Sequence, residues 1–405
     1  MRLNRNTEAV WLLGLTQIIG YGSLYYSFAI LSGGIAREFG WSQSTFFGVF
    51  SAALIAGGIV APHVGRACDR LGAARVMTWS SVFSALALFV TAWSPQPMVF
   101  AASLVLAQVA STGAFYDAAF TALVQMDRAD GQRRIVQLTL IAGFASTVFW
   151  PLTSWLDGAL GWRMTLLIYG ALNLFVCPVI HGHLARHAAI KRQAALASTV
   201  PPEAEHVPVL RQMDVRRAMV LLTAGFALAG FALSAVISQM VPLLQALGFG
   251  AASLAVSTLF GPAQVIVRFT NMMFGSGRHP LAVAIAALSL LPLALFFVGL
   301  APAVTVSAVV FVVLVGLCSG LKSIVQGTVP LALFGSAGFG ARLGKMASFR
   351  YVLGALAPFS FAALNDVSSA SIAAVIFGIV GLLGVVALLA VARMLRANRE
   401  HPQNQ

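Results

Sequence analysis

The chain has 405 residues, of which 59% are hydrophobic and 9% charged, and its formal net charge is +13. A water-soluble core does not hold that much apolar surface behind so few charges, so the chain must live in a bilayer. The basic residues are scattered among the connections and form no face or stripe, which excludes a nucleic-acid partner and makes membrane orientation the simpler cause of the charge.

A membrane-spanning helix needs about 20 mostly apolar residues, because the hydrocarbon layer is about 30 Å thick and a helix rises about 1.5 Å per residue. Such runs lie, in chain order, at 10–35, 43–65, 74–94, 98–124, 135–157, 162–184, 217–246, 250–272, 280–300, 302–332, 344–366 and 370–394. They predict an all-α polytopic membrane protein with twelve transmembrane helices, surrounded by lipid. The first run, Val10 to Ile35, is too long for a signal-peptide core and lacks a small-residue cleavage site, so it reads as a true span. The run 302–332 is unusually long and holds Pro330, which predicts a kink or an early end. Residues 186–216 are the only long polar linker, with His187, Lys191, Arg192, Pro201, Pro202, Glu203 and Glu205. This tether, partly an amphipathic helix, separates a six-span bundle (1–185) from a second (217–395), with a short tail at 396–405. Two such pseudo-symmetric halves suit a secondary transporter with a substrate site near the midplane.

Orientation follows from the basic residues. With the N-terminus in the cytoplasm, the inside connections carry Arg2 and Arg5; Arg66, Arg70 and Arg75; Arg128, Arg133 and Arg134; Arg186, Lys191, Arg192, Arg211, Arg216 and Arg217; Arg278; Arg342, Lys345 and Arg350; and Arg393, Arg396 and Arg399. The outside connections carry Arg37 and Arg163, and Arg268 and Lys322 fall within spans. An excess of 21 against 2 places both termini on the cytoplasmic side.

The second connection reads Gly65-Arg66-Ala67-Cys68-Asp69-Arg70-Leu71-Gly72-Ala73-Ala74-Arg75. Its glycines let two helix ends approach closely, and Asp69 is placed to pair with an arginine or cap a neighbouring helix. The bland alternative is a charged topology anchor. In Gly65, Asp69, Arg70, Gly72 and Arg75 the loop resembles the signature loop of the major facilitator superfamily, with Ala74 where a second basic residue is common. The resemblance implies that this loop latches two halves and helps gate alternating access. The corresponding Phe274-Gly275-Ser276-Gly277-Arg278 keeps a glycine and a basic residue but lacks the acid. Gly143-Phe144-Ala145-Ser146-Thr147-Val148-Phe149-Trp150-Pro151, Gly161-Trp162-Arg163 and Gly261-Pro262-Ala263-Gln264 look like the bacterial monocarboxylate-porter-like branch of that superfamily.

Of the twelve Asp and Glu residues, Asp117 alone sits well inside a span, the fourth. A charge at that depth costs about 3 kcal/mol on insertion scales. It is tolerated if it faces a wet cavity, meets a cation or stays protonated, which makes Asp117 the candidate for proton coupling. A structural hydrogen bond to a neighbouring helix is the alternative. Lys322 lies at similar depth in the tenth span, placed to bind a substrate carboxylate, to pair with Asp117, or to snorkel to the interface. Arg268 is closer to a helix end and reads equally well as an interfacial anchor. The resemblance implies that spans one, four, seven and ten line the cavity. Gln17, Tyr21 and Tyr25 recur at four-residue spacing on one face of the first span, with Tyr26 adjoining. Tyr116, Ser234, Ser238 and Gln239 extend a polar pattern suited to a hydrated substrate path, with helix–helix hydrogen bonding as the alternative.

No phosphate-cradling loop, HExxH motif or Cys/His metal cluster is present, so no cofactor is expected. Cys68, Cys177 and Cys318 read as free thiols. The seven histidines (His63, His181, His183, His187, His206, His279, His401) fall at or beyond helix ends and read as solvated. The expectation is a monomeric secondary transporter of the bacterial inner membrane, moving a small organic anion with protons. Efflux of a toxic solute such as a trivalent arsenical (Cys318 lies one turn before Lys322) or a drug, and uptake of an aromatic vitamin, are the alternatives. An intramembrane hydrolase would need paired catalytic groups at depth, and a sensor would need a signalling domain; neither is seen.

Overall fold

Lipid offers a peptide group no hydrogen bond, so an apolar run in a bilayer must satisfy its backbone internally, as a helix does. A computed structural model describes residues 5–197, 212–250, 252–275, 277–300 and 304–400, and their regular structure is entirely helical. Among the described residues, eleven helical stretches are long and apolar enough to cross a membrane. One of them, Gly131–Ile190, runs for 60 residues, far more than one crossing needs. It turns at Gly161, whose φ of 78° and ψ of 166° are non-helical, so it supplies two spans and the total is twelve.

The helices cluster into two units, Met1–His206 with Ser336–Tyr351, and Val207–Gly335 with Val352–Gln405. In the first unit, span one is α1 (Arg5–Tyr21), a π-helical turn (Gly22–Tyr26) and α2 (Ser27–Phe39). Then come α3 (Gln43–Leu71) and α4 (Ala73–Ala92). Span four is α5 (Pro97–Ser111) with α6 (Tyr116–Met126). Spans five and six are built from α7 (Gly131–Ala142), α8 (Ala145–Phe175) and α9 (Cys177–Ala197). The second unit has α10 (Gln212–Ser238), α11 (Met240–Ala246), α12 (Ala252–Ser257), α13 (Phe260–Phe274), α14 (Pro280–Leu300), α15 (Thr305–Phe334) and α17 (Ala370–Glu400). The unit boundary falls inside α16 (Phe339–Val367), whose first three turns cluster with the first unit. Of the expected linker, residues 198–211 lie outside the described residues, as do His206, Arg211, Ser276, His401 and the end of the tail.

Two expectations are corrected here. Helix α15 does not end at Pro330; it continues to Phe334 and stops at Gly335, where φ is 72°. A proline near a helix's C-terminus removes one internal bond but leaves the preceding turns intact. Nor are all the histidines solvated, since His181 on α9 is fully buried. Its ring nitrogens lie 2.9 Å from Thr16 Oγ1 and 3.1 Å from Ser81 Oγ, which ties α9 to α1 and α4. Thr16 Oγ1 donates its own proton to Leu13 O.

The first unit's core is built of rings and branched chains, among them Phe28, Leu31, Ile35, Phe46, Phe100 and Tyr169. Large apolar side chains also cover the outside: Phe175 is 69% exposed and Phe359 75%. A surface of that kind is stable only against lipid. At one end, Glu38 gathers three helix ends. It accepts from Trp162 Nε1 (2.7 Å) and Arg163 Nη2 (2.6 Å), while Arg163 also donates to the carbonyls of Ala92 and Ser94. Arg163, read from sequence as a loop charge, is thus a clasp.

Gly161→Ala forces a side chain into a backbone region that is essentially glycine-only, at a cost of about 1–3 kcal/mol. Gly158→Ala, in open helical surroundings, is expected within about 0.5 kcal/mol of the parent. Thermal unfolding of the two purified variants checks this; equal melting points would contradict it.

Candidate functional site

The site begins with two irregular helices. Span four breaks after Ser111, and Gly113 is needed in the break because a Cβ there would strike Ser80 of α4. Phe115 is extended, with φ −85° and ψ −174°, and α6 restarts at Tyr116. Asp117 therefore occupies the first turn of α6, where the helix dipole favours a negative charge. Span one loosens into its π turn where the Phe149 ring packs against Gly22 and leaves no room for a side chain. The two irregular segments serve each other. Gln17 Nε2 donates to Ala114 O (2.7 Å), and Gln108 Nε2 donates to Leu24 O (2.7 Å).

The residues of the polar stripe expected along span one differ in exposure. Gln17 is fully buried, Tyr21 is partly buried, and Tyr25 is 39% exposed. The π turn follows Tyr21, ends at Tyr26 and carries Tyr25. Tyr21 stacks on Phe115 (centroids 4.4 Å apart) and lies 4.8 Å from the Tyr116 ring and 6.3 Å from Tyr26. Tyr25 instead meets Tyr26 edge-on at 5.4 Å.

Asp117 is bonded to a cation. Arg350 Nη2 on α16 donates to Asp117 Oδ2 at 2.7 Å, and the two side chains are 16% and 12% exposed. The other oxygen, Oδ1, is buried with no hydrogen-bond partner. The guanidinium lies 5.4 Å from the Tyr351 ring, and Tyr21 and Tyr351 are electrostatic neighbours of both charges. Arg350 reads from sequence as one of the loop charges, although it lies six residues inside the apolar run 344–366. That depth is the signal that marks it as a site residue. Tyr351, also missed, follows from it.

The signature loop lies one α3–α16 crossing away. Gly65 meets the backbone of Gly340 and Gly344, and a Cβ on Gly65 would strike Gly340 O. Asp69 caps the start of α16, accepting from Gly340 N (2.9 Å) and Ala341 N (2.8 Å). Gly72 ends α3 with φ 93°, and Gln125 of α6 fastens the turn through Ala73 N and Cys68 O. Arg70 and Arg75 are exposed.

In the second unit, Ser234 Oγ donates to Gly354 O (3.1 Å) and Ser238 Oγ to Ala235 O of its own helix. Gln239 sits at the break between α10 and α11. Arg268 is not an interfacial anchor. It is 6% exposed, and its Nε lies 3.2 Å from Ser323 Oγ and 3.4 Å from Gly320 O on α15. Lys322 is partly buried on the same helix, and Cys318 one turn earlier is fully buried. The three cysteines are free, as expected. No cluster suited to a metal ion occurs among the described residues.

Interrupted membrane helices that carry buried ionisable groups are the architecture of secondary transporters. A family model described as Major Facilitator Superfamily matches residues 13–358, and the chain belongs to that superfamily. Its members are transporters. No curated protein matches in sequence. Among solved structures the chain is similar to the human organic anion transporter MFSD10 (TETRAN), at 18% identity and TM-score 0.68, over 96% of this chain and 100% of that one. It is also similar to the proton:xylose symporter XylE bound to 6-bromo-6-deoxy-D-glucose, at 13% identity and TM-score 0.70, over 95% and 96% of the chains. A third likeness is to FucP in the outward conformation, at 13% identity and TM-score 0.65, over 94% and 98%. At these identities the likeness shows the fold.

Two outcomes follow from the geometry. Asp117→Asn leaves the Arg350 charge buried and unpaired and is expected to cost about 3–5 kcal/mol. Adding Arg350→Gln should recover most of that loss; a strictly additive double-mutant cycle in chemical unfolding would contradict the pairing. At the crossing, Gly344→Ala places a methyl against Ala61 O and is expected to cost about 1–3 kcal/mol. A melting temperature equal to the parent's would show that α16 does not pack so closely.

Proposed function

We propose that the protein is a secondary active transporter of the bacterial inner membrane, with both termini cytoplasmic, that moves a small organic anion together with protons by alternating access. The observation that carries this reading is the buried Asp117–Arg350 pair with a vacant acceptor on Asp117. With Asp117 ionised, the pair is neutral. When a proton reaches Asp117, Arg350 loses its counter-charge and becomes the strongest anion ligand nearby, since a guanidinium offers a carboxylate two parallel donors. Proton binding and anion binding then favour each other. Arg268 and Lys322 offer further cationic contacts for the cargo. Tyr21, Tyr25 and Tyr116 contribute hydroxyls and ring faces, and Gln17 holds the break that presents Asp117. Asp69 with Gly65, Gly72, Arg70 and Arg75 acts in gating. The relatives carry different cargoes, so the anion assignment rests on the arginine.

Uptake of an aromatic solute is a second reading, favoured by the ring cluster of Tyr21, Phe115, Tyr116, Tyr25 and Tyr26. Efflux of a trivalent arsenical gains no support, because the Cys318 thiol is fully buried.

Proteoliposomes with an imposed pH gradient test the proposal, with a panel of radiolabelled mono- and dicarboxylates as cargo. Gradient-driven uptake should fall at least tenfold in Asp117→Asn while exchange without a gradient persists. Arg350→Lys should weaken uptake mainly through KM. Full gradient-driven uptake in Asp117→Asn would remove the coupling role.

A further inference from the structure

One cavity in the first unit has no place in the roles given so far. It lies between α3, α5, α6 and the first turns of α16, and is just large enough for one water molecule. Its polar lining is Asp117, Thr112, Thr121 and the Cys68 thiol; the remaining wall is made of small apolar residues and glycine. We propose that this cavity holds a single water molecule that carries protons between Asp117 Oδ1 and the Gly65–Gly340 crossing. The proposal rests on the reading of Asp117 as the proton-exchanging group.

Three observations converge on it. First, Asp117 Oδ1 is buried without a protein partner, and a buried carboxylate oxygen left unsatisfied is costly enough that a water is expected wherever space allows. Second, the threonine oxygens are arranged as acceptors. Thr112 Oγ1 spends its proton on Gln108 O (3.1 Å) and Thr121 Oγ1 on Asp117 O (2.7 Å). A water there can give one hydrogen to Oδ1 and the other to a threonine, with the Cys68 thiol as a weak donor to its oxygen. Third, the far wall is Gly340 and Gly344 of α16, pressed against Gly65 and Ala61 of α3. Asp69 fastens that crossing through Gly340 N and Ala341 N. Cys68, which lines the cavity with Asp117, precedes Asp69 in the chain.

The step is a simple transfer. A proton from bulk water reaches the cavity water as hydronium. One of its O–H bonds breaks, a new O–H bond forms on Asp117 Oδ1, and neutral water remains. Arg350 keeps its protons throughout. Because the α3–α16 crossing forms one wall of the cavity, release of α16 from Asp69 widens the proton's path. The loop that gates the helices thereby gates proton access as well.

Infrared difference spectroscopy on the full chain in nanodiscs tests this without knowledge of the cargo. The protonated carboxyl band of Asp117 is identified by its loss in Asp117→Asn, and its exchange is timed after a jump into D2O. Ala118→Leu, which fills the cavity, should slow exchange at least tenfold. Thr112→Val keeps the volume but removes one acceptor, and should slow exchange severalfold and move the band as the water's bonding changes. Should Ala118→Leu fail to fold, Thr112→Val alone decides. Exchange as fast as in the parent in the folded variants would overturn the water route and leave the coupling role standing. The absence of any pH-dependent band from Asp117 in the parent would overturn both.

Discussion

The buried ion pair of Asp117 and Arg350 is the constraint around which the first unit is arranged. Two charges cannot stay in a low-dielectric interior unless geometry returns most of what desolvation removes. Here the return comes from a 2.7 Å charge-assisted bond, from the first turn of α6 beneath the carboxylate, and from tyrosine rings around both groups. A pair held so evenly is a natural place for bistability. Adding one proton changes its net charge from zero to positive. The groups that then attract the unpaired arginine decide where it goes.

That placement depends on helices that are not regular. A continuous fourth span would turn Asp117 away from any helix N-terminus. The irregularities persist because each is supported from the opposite helix, Gln17 serving the break in span four and Gln108 the π turn in span one. Broken backbone in a membrane protein survives only where protein or water replaces the missing internal bonds. The crossing of α3 and α16 follows a different logic. Gly65, Gly340 and Gly344 carry no side chains, so backbones touch and Asp69 reaches two amides at once.

Much of this is legible in the sequence where a local pattern dictates structure. The twelve apolar runs are long enough that nothing but a spanning helix fits them, and the superfamily follows from the loop at Gly65–Arg75. Asp117 stands out because a lone deep carboxylate is costly. Hidden from the sequence is whatever depends on distant partners. Arg350 is 233 residues from Asp117, and near a run of loop arginines it looks like one more of them. His181 sits among histidines near helix ends, and only packing against α1 and α4 takes it out of solvent. The π turn leaves no mark in periodicity, and the Phe149 ring that packs against Gly22 there comes from another helix. Pro330 misleads because it stands close to the end of α15, where one missing internal bond leaves the preceding turns intact.

The central claim is that protonation of Asp117 releases Arg350. Single-particle structures of the protein in nanodiscs at mildly alkaline and at acidic pH test it most directly. The account predicts density joining Asp117 and Arg350 at the alkaline pH and a guanidinium withdrawn from the carboxyl at the acidic one. An ion pair that keeps the same 2.7 Å contact at both, under conditions where transport is active, would contradict it.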